Sequence, residues 1–302
     1  YTLLQSKRKK LNATNINIGD SSYGFVNKQT AGGNTFISNT PSVTVGNDVV
    51  YAYSTDTKGT VNNKTALTST GNGNYGLYSA GNVTNDANIN FGSGIGNVGV
   101  YSISNGTATN RAGRSITVGG SDPDNNKYGI GMAAGYEKTD HGNIINQGTI
   151  NVNGNHSIGM YGSGLGTTVE NHGTINLNTD NTTGIYLNDR AVGHNYGLIT
   201  NAAGVKNVTA VVVKNGARLV NEPSGRIILD ADNALGALET KDNENGSLGI
   251  FENYGTFEIK GSGSEERKRP TGPKDLNKSA GKGKNRLSID VPAGSSTGTI
   301  KL

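Results

Sequence analysis

Cysteine and tryptophan are absent from the 302 residues, methionine occurs twice, proline six times, and charged side chains make up only 17%. Without cysteine there are no disulfides and no thiolate metal ligands, so packing and hydrogen bonds must hold the fold. Helix signals are equally scarce. No stretch carries apolar residues at i, i+3, i+4 and i+7, and asparagine and the 46 glycines interrupt nearly every window of ten. Nothing approaches the roughly 18 apolar residues of a membrane-spanning helix. Disorder does not fit either, because disordered segments are poor in β-branched and aromatic residues, whereas Ile, Val, Thr and 13 tyrosines recur throughout. The chain is polar, but its residues favour strands.

What it does have is a repeat. Asn146–Gly162, "NQGTINVNGNHSIGMYG", aligns without a gap to Asn171–Leu187, "NHGTINLNTDNTTGIYL", with eight of seventeen positions identical. Taking the asparagine before each "GTINV"-like strand as anchor gives Asn12, Asn39, Asn62, Asn85, Asn110, Asn146, Asn171, Asn195, Asn221 and Asn253. Most intervals are 23 to 27 residues; two, of 36 and 32, are read as loop insertions around Gly119–Lys127 and Glu239–Ser247.

Alternation within each period indicates strands, since successive side chains of a strand point to opposite faces. Ile150 and Val152 share an inward phase with Ile175 and Leu177, Ile116 and Val118, Ile89 and Phe91, Val43 and Val45, Ile16 and Ile18, and Phe257 and Ile259. A second strand, "GFV", "GLY", "GVY", "GMY" or "GIY", puts Phe25, Leu77, Val100, Met160 and Ile185 at one equivalent place. A third, such as "TVNN", "TATN" or "RLVN", precedes the anchor. Three strands per period of about 23 to 26 residues predict an all-β chain folded as a right-handed parallel β-helix. About twelve coils at roughly 4.8 Å would form a rod on the order of 60 Å long. The anchor asparagines are expected at corners, in left-handed backbone or bonded to one another as a ladder. One β-helix segment is expected over 1–302, with coils over roughly 11–261, a basic loop insertion at 262–286 and returning strands at 287–302.

The "NxGTINV…GIYL" repeat resembles the passenger region of large type V autotransporter adhesins, and is most similar to fusobacterial outer-membrane autotransporters. The resemblance implies a long β-helix at the bacterial cell surface. It also implies roles in attachment and coaggregation, partners among surface proteins or glycans of other bacteria or host cells, and contact with a membrane only through a C-terminal barrel that this stretch does not include. Tyr1 falls in mid-pattern, so the chain is read as a segment of a longer, monomeric passenger. Zero cysteines suit a protein threaded unfolded across an outer membrane, where disulfides would obstruct transit.

Two surfaces are candidates for binding. The net charge of +4 is segregated: Lys7–Lys10 carry four positive charges, and Ser264–Arg286 carries eight Lys or Arg against three acids, leaving 15 basic and 20 acidic residues elsewhere. Arg267, Lys268 and Arg269 head this second tract. It holds no aromatic residue to stack on a base, and no nucleic-acid partner is expected. The other candidate is a column of outward tyrosines, Tyr78, Tyr101, Tyr161 and Tyr186, interrupted where Gly129–Ala133 intervenes. Such a column can bind sugars or anchor a partner, or simply stabilise the sheet by stacking.

Catalysis is not expected. A glycosidase needs paired carboxylates, and the nearest pairs, Asp230 with Asp232 and Asp122 with Asp124, read better as a solvated strand end and a polar turn. His141, His156, His172 and His194 fall near corners, only the last two in places that could align, and no metal or other cofactor is predicted. No GxSxG elbow or phosphate loop is present. The sequence therefore predicts a surface adhesin segment acting as stalk and binding surface, with a β-helical polysaccharide-active enzyme or a phage-type spike as the alternative.

Overall fold

The computed structural model describes residues 15–136, 138–243 and 245–269. Lys7–Lys10, Asn12, the basic tract beyond Arg269 and the strand expected at Leu287–Val291 lie outside the described residues. Twenty-nine short strands form three parallel sheets, each strand pairing with its equivalent one period earlier and later. Sheet A runs through ten strands from Ile16–Ile18 to Thr256–Lys260, and sheet B through ten from Tyr23–Asn27 to Glu265–Lys268. Sheet C has nine, from Thr35–Ser38 to Ile250–Asn253. The architecture is a parallel β-helix of ten turns over the described residues, not about twelve. The expected number divides the whole chain length by the period, insertions included, whereas the ten turns are those of the described residues. No α-helix occurs among the described residues.

Sheet A carries the aliphatic column as expected. Ile89, Ile116, Ile150, Ile175, Ile199 and Ile227 follow one another in register and are all buried. In sheet B, Phe25, Ala52, Leu77, Val100, Met132, Met160, Ile185, Val211 and Ala237 form the second inward column. The glycine that opens "GMY" has a specific cause: a Cβ at Gly159 would sit 2.6 Å from the carbonyl oxygen of Gly184 and 2.7 Å from Cγ2 of Ile175. Only hydrogen fits here between two coils.

Sheet C supplies the ladder. Asn63 donates to Asn85 at 2.9 Å, and the chain of side-chain amides runs on through Asn110, Asn146, Asn171, Asn195 and Asn221 to Asn253, every step between 2.7 and 2.9 Å. The second N–H of each amide serves a carbonyl of its own corner, as Asn146 does to Gly148 at 3.2 Å. All but Asn253 are fully buried. Two anchors need correction, because Asn63 rather than Asn62 is the rung, and Ser38 rather than Asn39 stands in register with it. A one-residue slip turns a strand side chain to the opposite face, and Asn62 faces outward beside Thr84. None of the described anchors has a positive φ. Asparagine is required here for its amide, not for left-handed backbone.

Candidate functional site

Each coil turns from sheet C into sheet A immediately after its ladder asparagine. That corner is two residues long at Gln147–Gly148, His172–Gly173 and Tyr196–Gly197, but four long at Arg111–Arg114. The wide corner overhangs the outer face of sheet C and creates a shallow groove of about 520 Å³ lined by Thr84, Asp86, Thr109, Arg111, Ala112 and Gln147. A smaller hollow of about 180 Å³ adjoins it and adds Asn62 and Lys64. Thr84 and Thr109 pair in register and form the floor. Asp86 is held by Arg114, whose Nε donates to Oδ1 at 2.9 Å. Chemically this is an open polar trough with cations on its rim.

Further along the same corner lies a stack of rings. Tyr196 lies between His172, with centroids 4.5 Å apart, and His194, at 6.0 Å. His172 meets Glu170 at 2.9 Å and His194 meets Glu222 at 2.6 Å. The two histidines do not align with each other. His194 stands in register with Glu170, while His172 falls beside Tyr196, because one histidine precedes its ladder asparagine and the other follows it.

The tyrosine column is placed differently from the expectation. Tyr78, Tyr101 and Tyr161 do leave sheet B on the side opposite the main core, but they are buried, with 4%, 0% and 3% exposure, and Tyr186 is half-buried. They form a second apolar cluster with Tyr53, Tyr128, Ile103, Ile130 and Ile158. Tyr78 and Tyr101 stack at 5.2 Å, and Tyr101 Oη donates to the Gly135 carbonyl at 2.7 Å. The segment after Gly135 is tied down by Asp140, which accepts from the Ser104 amide at 2.9 Å. Register is kept across Gly129–Ala133, with Ala133 standing in line between Tyr101 and Tyr161. Burial, reinforced by neighbouring phenols and Asp140, pushes the hydroxyls of Tyr78 and Tyr101 far above their ordinary range, so they remain neutral. Strand alternation fixes which side a ring takes, but not whether an insertion then covers that side. Here the extra residues expected around Gly119–Lys127 are split between that corner and the one after Ala134, where Gly135 accepts from the Tyr101 hydroxyl and Asp140 from the Ser104 amide.

The basic residues of the second tract also fall differently. Glu265–Lys268 is a strand of sheet B rather than part of a loop. Arg267 stands in register with the core residue Ala237, and only Lys268 takes the outward place opposite Leu238. Arg267 lies 5.4 Å from the centroid of the Phe251 ring. Arg267 and Arg269 each donate to fully buried Glu239 at 3.0 Å, and the Phe251 amide adds a bond of 2.8 Å. Burial opposes ionisation of Glu239, but these bonds outweigh it and hold its carboxyl below the ordinary range. Two of the three residues thus neutralise an interior charge. The acid pairs serve the backbone: Asp122 caps the turn Pro123–Asn125, Asp232 accepts from the Ser262 amide at 3.1 Å, and exposed Asp230 pairs in register with Lys260.

A family model of the third pectate lyase-like domain of BigA matches residues 3–197. No curated protein and no solved structure matches the chain. With about two thirds of its residues matched, and with the stacked parallel coils that a pectate lyase-like fold requires, the chain belongs to the family of the BigA third pectate lyase-like domain.

Proposed function

We propose that this chain is a surface-exposed passenger segment of a bacterial adhesin, working as a monomer, both as a rigid stalk and as a binding surface for glycans or proteins of other cells. The observation that carries this reading is the join of an uninterrupted β-helix to a family represented in BigA, a bacterial surface protein. A continuous hydrogen-bonded stack resists bending and leaves corners free to vary, which is what a stalk with a lateral binding face needs. The type V autotransporter relationship, and within it the fusobacterial one, belongs to the same proposal. We further propose that the segment binds without catalysing a reaction, because one carboxylate of each candidate pair, Asp122 and Asp232, already serves a turn or a backbone amide. The test is saturable attachment of the purified chain to a panel of bacterial and host cells, alongside incubation with polyuronates. Attachment without bond cleavage is expected. Absence of attachment by a folded chain would reduce it to a spacer, and release of unsaturated uronates would make it a lyase.

A further inference from the structure

Lys64 and Arg111 are exposed on the rim of the sheet C groove, and neither side chain has an ion-pair or hydrogen-bond partner among the described residues. Both follow a ladder asparagine directly, so they occupy the same corner position two coils apart, or roughly 10 Å along the axis. The coil between them puts Asp86 at that position, already neutralised by Arg114. The coil after Arg111 puts the uncharged amide of Gln147 there. Read along the axis, the rim therefore alternates: a free cation, a neutralised site, a free cation, a neutral amide. Beneath it, Asn62, Thr84 and Thr109 offer an amide and hydroxyls that can both donate and accept.

We propose that this groove binds a linear acidic polysaccharide carrying one carboxylate per disaccharide, an alternating uronate and hexosamine chain, with Lys64 and Arg111 each meeting one carboxylate. The inference rests on the adhesin reading and names the ligand class for it. Two coil rises are comparable to the repeat of an extended disaccharide, so successive uronates would reach successive cations while the intervening neutral sugar passes Asp86. A polymer charged on every sugar would instead bring its intermediate carboxylate to the Asp86–Arg114 pair, where no free cation meets it. A nucleic acid would find cations but no ring in the groove on which to stack a base. Arginine adds a planar fork suited to a carboxylate, and lysine adds a point charge that tolerates variation in reach.

The test uses the full 302-residue chain and oligosaccharides of alternating glucuronate and N-acetylglucosamine, titrated calorimetrically, with polygalacturonate and a neutral N-acetylglucosamine oligomer for comparison. Saturable binding to the alternating chain is expected, weakened about tenfold by either Lys64→Gln or Arg111→Gln and abolished by both together. Arg111→Lys should retain most of the binding, and Lys206→Gln, which removes an exposed cation elsewhere, should change nothing. Both groove residues are exposed corner positions, so unaltered circular dichroism should accompany each loss. Undiminished binding by the double variant, binding to polygalacturonate as tight as to the alternating chain, or no binding at all would overturn the proposal. Cell attachment surviving in the double variant would overturn the groove while leaving the adhesin reading intact. Glycan binding through these two residues without attachment to any cell would do the reverse.

Discussion

Asn146 shows how much one side chain can carry in a solenoid. Its amide accepts from Asn110 at 2.9 Å, donates to Asn171 at 2.9 Å and closes its own corner on Gly148 at 3.2 Å, all with no solvent exposure. Replacing it with alanine strands the Asn110 N–H and the Asn171 oxygen in the interior, where each unsatisfied group costs about 1 to 3 kcal/mol. Asn146→Ala should therefore destabilise the chain by roughly 2 to 4 kcal/mol in urea unfolding. Asn253→Ala, at an exposed rung bonded on one side only, should cost less than about 1 kcal/mol. Equal costs at the two sites would mean that the ladder contributes by position in the turn and not by its buried bonds.

Within a strand, the decisive constraint is how closely one coil approaches the next. At Gly159 the Gly184 carbonyl and Ile175 close the space that a methyl group would need. Neither neighbour can yield cheaply, since one is backbone and the other a packed core side chain. Gly159→Ala should cost about 1 to 3 kcal/mol through overpacking, visible as a lowered urea midpoint. At the equivalent place in a later coil the residue is Ala210, fully buried. The column therefore does not reject a methyl everywhere. A neutral effect at Gly159 would show that the coils can spread to admit one there as well.

Across the whole molecule, each coil contacts only its neighbours, so stability is close to a sum of coil and interface terms. Removing one complete period should leave such a structure folded. Deleting Gln147–Asn171 joins Asn146 directly to His172 and brings the sheet C and sheet A strands that flanked the lost coil into register. The shortened chain should keep its β-rich circular dichroism and cooperative unfolding. A deletion of half that length should not, because it puts core residues on the solvent face. If both deletions unfold the protein, long-range features such as the tyrosine cluster hold the coils together more than nearest-neighbour stacking does.

The sequence by itself determined the period, the three strands per coil and the inward columns, because burial inside a tube imposes a strict alternation that aliphatic residues such as Ile150 and Val152 display openly. It also announced an asparagine ladder, though not its phase at Asn63, since adjacent asparagines in "VNN" look alike until a partner strand fixes which faces inward. The site was much less legible. Tyr101 reads as exterior from alternation alone, and only the rings stacked beside it and the Gly135 carbonyl folded back onto its hydroxyl make it buried. Arg267 reads as part of a solvated basic loop, and only its register with Ala237 turns it toward Glu239. The groove left a faint trace, the four-residue corner "RAGR" where the corner before it has three and the one after it two, but that trace says nothing of what it overhangs. Lys64, Asp86 and Arg111 are separated by 22 and 25 residues in the chain and meet because parallel coils stack equivalent positions one above another. Local alternation is written residue by residue, whereas a surface assembled from three coils exists only once the turns have been stacked.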